Sequence, residues 1–156
     1  MSHVAIVELC IDDLSDLKRA CCELGLEFME DKKTFKWYGK VIGNYKQSNS
    51  VCINGIWSKN RDTKDYGRCE HAIGIKGSDV SYELGVVKSS DGIGYKLVYD
   101  NWRGGKGLED VIGINAIKLS REYSAQRVTS VAQRNGYRIV SREIDNSGNI
   151  RVRCSR

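Results

Sequence analysis

The residues best suited to chemistry in this chain are lysines and arginines interleaved with aromatic rings. In "KKTFKWYGK", Lys32, Lys33, Lys36 and Lys40 surround Phe35, Trp37 and Tyr38. Ammonium groups answer phosphates and ring faces accept stacked bases, so this mixture points to nucleic acid. "WRGGKG" adds Arg103 and Lys106 around two glycines, and the terminal "IRVRCSR" adds Arg151 and Arg153. Alternation in that last stretch puts Arg151, Arg153 and Ser155 on one face of a strand, which then presents charge outward. The plainer reading of the same residues is a solvated basic face. Asp62 and Asp65 also dilute the nearby Lys59, Arg61, Lys64 and Arg68. The expected contact set is Lys32, Lys33, Lys36, Trp37, Lys40, Arg103, Lys106, Arg151 and Arg153. RNA is favoured over DNA because neither a helix-turn-helix nor a basic zipper is visible.

Catalytic chemistry has weaker support. Cys69 and His71, with Cys52, could ligate a metal or form a thiol nucleophile and its base. A structural zinc takes four ligands, usually in close pairs; here no Cys-x-x-Cys occurs and the chain has two histidines. Alternation predicts Cys69 and His71 on the same face of one strand, where packing is the ordinary role. "RGGKG" lacks the Gly-x-x-x-x-Gly-Lys-Ser/Thr spacing of a nucleotide loop. No catalytic residue, metal ligand or cofactor is assigned.

The 156 residues suit one domain, 1–156, able to bury a core without disulfides. A net charge of +5, from 25 Lys and Arg against 20 Asp and Glu, favours polyanions only mildly. No apolar run is long enough for a membrane span and no secretory leader is apparent, which predicts a cytoplasmic protein with six reduced cysteines.

Periodicity predicts the elements that would position these groups. "HVAIVELCI" alternates as a strand with Ala5, Val7, Leu9 and Ile11 inward. Asp12 or Asp13 caps a helix whose stripe is Leu14, Leu17, Cys21 and Leu24, stopped at Gly25. "LEFME" and "TFKWYG" flank "DKK" as paired strands. Residues 40–68 form an irregular insertion with one or two short strands, and "HAIGI" starts another strand. "YELGVVKSSDGIGYKLVYDNW" is a hairpin around an Asp-Gly turn. It matches the RNA-recognition strand motif only at Gly94, Tyr95 and Val98, and Tyr82, Leu84, Val86, Tyr95, Leu97 and Tyr99 share a face, which predicts a buried face over a stacking platform. "WRGGKG" is a flexible loop. A second helix, most securely Ser120 to Asn135, has Tyr123, Val128, Val131 and Ala132 as core candidates. "YRIVSREI" and "IRVRCS" close the chain as a hairpin. The order β-α-β-β-(insert)-β-β-α-β-β implies an α+β domain, a mainly antiparallel sheet backed by two helices.

Three stretches carry a resemblance: "MSHVAIVELCIDDLSDLKRACCELG", the hairpin ending "GYKLVYDNW", and "NGYRIVSREIDNSGNIRVRC". Together they resemble the hypothetical chloroplast reading frame thirty-five family, also called the domain of unknown function twelve fifty-seven. The similarity covers about residues 1–38 and 71–154. The insertion at 40–68 and "RGGKGLEDVIGINAIKL" depart from the family pattern and favour a divergent, bacteriophage-encoded member over a photosynthetic one. The resemblance implies a fold and transfers no catalytic residue. The expected function is a non-catalytic protein that contacts RNA or a ribonucleoprotein. The alternative is a protein-interaction module, an inhibitor or adaptor, that meets its partner through residues 40–68. A cysteine- or metal-dependent enzyme ranks third.

Overall fold

A computed structural model describes residues 4–37, 51–53, 56–58 and 67–156. Strand β1 (Val4–Ile11) leads into helix α1 (Leu14–Glu23), then β2 (Leu26–Met29). Two short strands follow, β3 (Val51–Ile53) and β4 (Ile56–Ser58), then β5 (His71–Ile75), β6 (Leu84–Lys88) and β7 (Tyr95–Asp100). Short helix α2 (Leu108–Ile112) and a 3₁₀ turn (Ile114–Ala116) precede the long α3 (Ile117–Arg134). Strands β8 (Arg138–Ile144) and β9 (Ile150–Ser155) end the chain.

The main sheet runs β2-β5-β6-β7-β1-β3-β4 and is antiparallel except where β1 meets β3. The fold is therefore α+β with a mainly antiparallel sheet. One face of that sheet packs on α1 and α3: Ile11, Leu17, Ile73, Leu84, Leu97 and Leu119 are fully buried between the layers. Asp13 caps α1, its carboxylate accepting from the backbone N–H of Ser15 at 2.9 Å and of Asp16 at 3.2 Å. The expected stripe on α1 is present, with Leu17 and Cys21 buried and Leu14 and Leu24 packed at its margin.

The β6–β7 hairpin is structural. Val86 stands opposite Leu97, and Tyr82, Leu84, Val86, Leu97 and Tyr99 are all sealed from solvent, while Tyr95, expected on the same face, is only half-buried at the margin of the core. Rings enclosed this way offer no face to a base.

Several expectations are corrected. Among the described residues, "LEFME" and "TFKW" do not pair, and Tyr38 and Gly39 lie outside them. Strand β2 lies against β5, Leu26 opposite Ile75 and Met29 opposite Ala72, while Thr34 bridges Arg68. The chain at 33–37 instead crosses the second face of the sheet. Phe35 N–H donates to the Gly67 carbonyl at 2.8 Å, and the Phe35 ring is buried with Cys69 and Ala72. Gly85 makes this possible, since a Cβ there would collide with the Phe35 ring. Burying one large ring outweighs a short local ladder. On α3, Val128 and Val131 are 54% and 44% exposed and Ala132 is half-buried, against their expected core role. Tyr123 is buried as expected, and Leu119 fills the core face with it. The terminal hairpin forms, but as a separate two-stranded sheet packed on α3. No helix among the described residues is long and apolar enough to cross a membrane.

Candidate functional site

The glycine-rich segment after β7 is an ordered turn, which corrects the expectation of a flexible loop. Arg103, Gly104, Gly105 and Lys106 have φ of 50°, 63°, 62° and 53°, a full turn of left-handed helix. Glycine adopts this conformation freely; each of the two cationic residues gives up on the order of 1–2 kcal/mol to do so. What holds the turn is specific. Tyr82 N–H donates to the Gly105 carbonyl at 3.0 Å, Trp102 N–H donates to Asp100 Oδ1 at 3.0 Å, and Gly105 is buried against Leu108. Backbone strain maintained by surrounding structure is a common mark of a functional segment.

The turn displays its charges against rings. The Arg103 guanidinium lies 4.6 Å from the Trp102 ring centroid, and Lys106 Nζ lies 5.8 Å from that of Tyr82. Both cations are exposed, and neither makes an ion pair among the described residues. Alongside runs the basic segment: Glu83 N–H donates to the Lys36 carbonyl at 3.0 Å, and Lys36 N–H returns a bond to Glu83 Oε2 at 2.9 Å. The Tyr82–Glu83 backbone thus joins the two stretches, bringing Lys36, Trp37, Arg103 and Lys106 to one end of the sheet.

The remaining contact candidates are distributed differently. Lys32 Nζ is held by both oxygens of buried Glu83, at 2.7 and 2.8 Å, and Lys33 Nζ meets Glu70 Oε2 at 3.1 Å. These two charges are largely neutralised in place. Among the described residues Lys36 Nζ reaches the Asp79 carbonyl, at 3.2 Å, and no carboxylate. Trp37 is half-buried beside Phe35. Lys40 lies outside the described residues, as do Met1 to His3 and most of 40–68. Arg151 and Arg153 are exposed on β9, behind the helical layer, and are not brought to the turn.

The Cys69–His71 pair is corrected as well. A bend at Glu70 puts the two residues on opposite faces. Cys69 packs with Phe35 and its Sγ donates to the Lys32 carbonyl at 3.1 Å, whereas His71 lies against Phe28 and Tyr95 and its Nδ1 accepts from Asp31 N–H at 3.0 Å. Burial pushes the Cys69 thiol up to about 11 and that of Cys21 up to about 12, so both are protonated and unreactive at neutral pH. Brief iodoacetamide treatment should therefore label exposed Cys10 and Cys22 well before Cys69 and Cys21, read by peptide mass spectrometry. Equal labelling of Cys69 would contradict its burial. Among the described residues no group of three or more His, Cys, Asp or Glu is placed to hold a metal ion.

One constellation was not anticipated from the sequence. Arg127 joins α3 to the start of α1, meeting Asp12 Oδ2 at 2.6 Å and Asp16 Oδ2 at 3.3 Å. The Tyr123 hydroxyl donates to Asp12 Oδ1 at 2.7 Å, Ser130 Oγ donates to Asp16 Oδ1 at 2.6 Å, and Arg134 meets Asp13 at 3.3 Å. The signal was available: Tyr123, Arg127, Ser130 and Arg134 recur at helical spacing on one side of α3. Their charges serve the α1–α3 joint, which removes Arg127 and Arg134 from any free basic surface.

Fold and site together define an α+β protein with an ordered basic turn and no assembled catalytic group among the described residues. No family model, curated protein or solved structure matches the chain.

Proposed function

We propose that this is a non-catalytic, cytoplasmic binding protein that contacts RNA, or the RNA of a ribonucleoprotein, through the turn at Trp102–Gly107 with Lys36 and Trp37 beside it. We further propose that the chain is a divergent, bacteriophage-encoded member of the hypothetical chloroplast reading frame thirty-five family, which would direct it at host machinery. The observation that carries the binding reading is the left-handed turn: two cationic residues are kept in a costly conformation, exposed, each against an aromatic ring. The two cations suit phosphate contact, and the half-buried Trp102 ring, unlike the sealed Tyr82 ring, keeps surface on which an unpaired RNA base can stack. The protein-interaction alternative at residues 40–68 falls mostly outside the described residues.

The test uses a labelled oligouridylate and the variant Arg103→Gly/Lys106→Gly. Glycine removes both charges while relieving the left-handed strain, so the fold should be unharmed or slightly more stable. Binding should weaken, and the slope of log affinity against log salt should fall by about 0.7 for each phosphate that is no longer neutralised. Lys36→Ala should weaken binding further, whereas Lys33→Ala, whose ammonium already answers Glu70, should change little. Unchanged affinity and salt slope in the double variant would remove the turn from the site.

A further inference from the structure

Strands β8 and β9 pair only with each other, so among the described residues the second edge of β9 carries no strand. Arg142 shows which side is covered: from β8 it pairs with Glu122 on α3 and reaches Glu23 on α1, 3.6 Å away. Among the described residues the β9 side of α3 has no such cover. There Ile117, Val128 and Val131, at i, i+11 and i+14, stand 46%, 54% and 44% exposed along one line of the helix.

Two hollows of about 790 and 460 Å³ lie between this line and β9. Val128 borders both, so they form one trough, walled on the strand side by the half-buried Ile150, Val152 and Cys154. Its dimensions agree on both walls. The six residues of β9 span roughly 20 Å as a strand, and Ile117 to Val131 spans roughly 21 Å along the helix axis.

An open strand edge beside an apolar helix face is the geometry of strand addition, in which backbone bonds hold an extended segment and alternate side chains enter the groove. A two-stranded sheet is marginal alone and gains from a third strand. Charge then selects the occupant. Arg151 and Arg153 are exposed on β9, and Arg156 lies over the Tyr137 ring at the end of the trough. The residues opposite the first two on β8 are Glu143 and Ser141, so cations exceed anions on this face. A second copy of the chain is a poor fit. Antiparallel pairing of β9 with itself about Val152 would set Arg151 against Arg153 of the copy, and like charges directly opposite are destabilising.

We infer that β9 and the α3 trough form a docking site for an extended segment of a partner protein in which apolar and acidic residues alternate, the apolar side chains entering over Val128 and Val131 and the acidic ones meeting Arg151 and Arg153. This surface is separate from the turn at Trp102–Gly107, and the inference stands or falls independently of RNA binding there.

The experiment titrates the full chain with a labelled peptide of about eight alternating Val and Glu residues, against a Val–Lys peptide of equal length. Fluorescence anisotropy reads affinity, and amide hydrogen exchange reads the position. The Val–Glu peptide is expected to bind in preference to Val–Lys and to slow exchange within Ile150–Ser155. Val128→Glu and Arg153→Glu, both at exposed positions, should each weaken binding by about tenfold or more, while melting with an unchanged midpoint. The inference is overturned if the Val–Glu peptide does not bind, if both peptides bind equally, or if protection falls outside β9. It is equally overturned if an oligouridylate protects the same β9 amides and displaces the peptide, or if the free chain dimerises through β9.

Discussion

Leu97→Ala is expected to lower the unfolding free energy by about 2–5 kcal/mol, the range for removing a large aliphatic side chain from a packed core. Leu97 has no exposed surface and sits opposite both Val86 of β6 and Val7 of β1. Those neighbours belong to central strands and lie with Leu97 under the helical layer, so the space left by the truncation has little freedom to collapse. Tyr95→Ala should cost less, because Tyr95 is only half-buried at the margin of the same core. Urea unfolding followed by circular dichroism measures both. If the hairpin were a binding platform, Leu97→Ala would leave stability near the parent value and abolish ligand binding, and that result would reverse its assignment as core.

Asp16→Ala should be nearly as damaging, at about 3 kcal/mol, the low end of the range for opening a buried ion pair. Asp16 is completely buried and accepts from Arg127, Arg19 and Ser130. The low end applies because Arg127 retains Asp12 and Arg19 is half-exposed, so neither cation is stranded. Asp16→Asn, which keeps an acceptor for Ser130, should recover part of the loss. Stability lost equally in both variants would show that the charge matters more than the hydrogen bond.

The same joint should impose an acid limit. A hydrogen bond from the Tyr123 hydroxyl, then one from Arg127, holds Asp12 below the ordinary 3.8. The α1 N-terminal N–H of Asp16, then Arg134, does the same for Asp13. A carboxyl depressed in the folded state contributes stability that is fully present above its unfolded value and is lost as pH falls through its folded value. The Tm should therefore be flat down to about pH 5 and fall below about pH 4. Asp12→Asn should shallow that acid slope; an identical slope in the variant would place the limit elsewhere.

Local pattern made much of the fold legible. The two-residue period of β1, β6 and β7 identified both the strands and their buried faces, because alternation sorts side chains between the two sides of a sheet. Asp13 before α1 and Gly25 after it marked that helix's ends, since capping and left-handed stops are decided within a few residues. The basic and aromatic residues that flank the turn could likewise be named by type. Nothing local, however, set where they went. Strand β2 pairs with β5 and passes over "TFKWYG", its neighbour in the chain, because Phe35 had a cavity over Gly85 to fill. Strand choice between distant segments depends on the total area buried, a sum that no short window contains. On α3 the apolar residues gave no single stripe, and pairing with Asp12, Asp13 and Asp16 turned Tyr123 and Arg127 inward and left Val128 and Val131 open. In "WRGGKG" the two glycines permitted a left-handed turn, but the flanking Arg103 and Lys106 join it only because Tyr82 and buried Gly105 hold the backbone in place. Backbone strain of this kind is sustained by contacts made elsewhere in the chain, so only the tertiary structure could decide it.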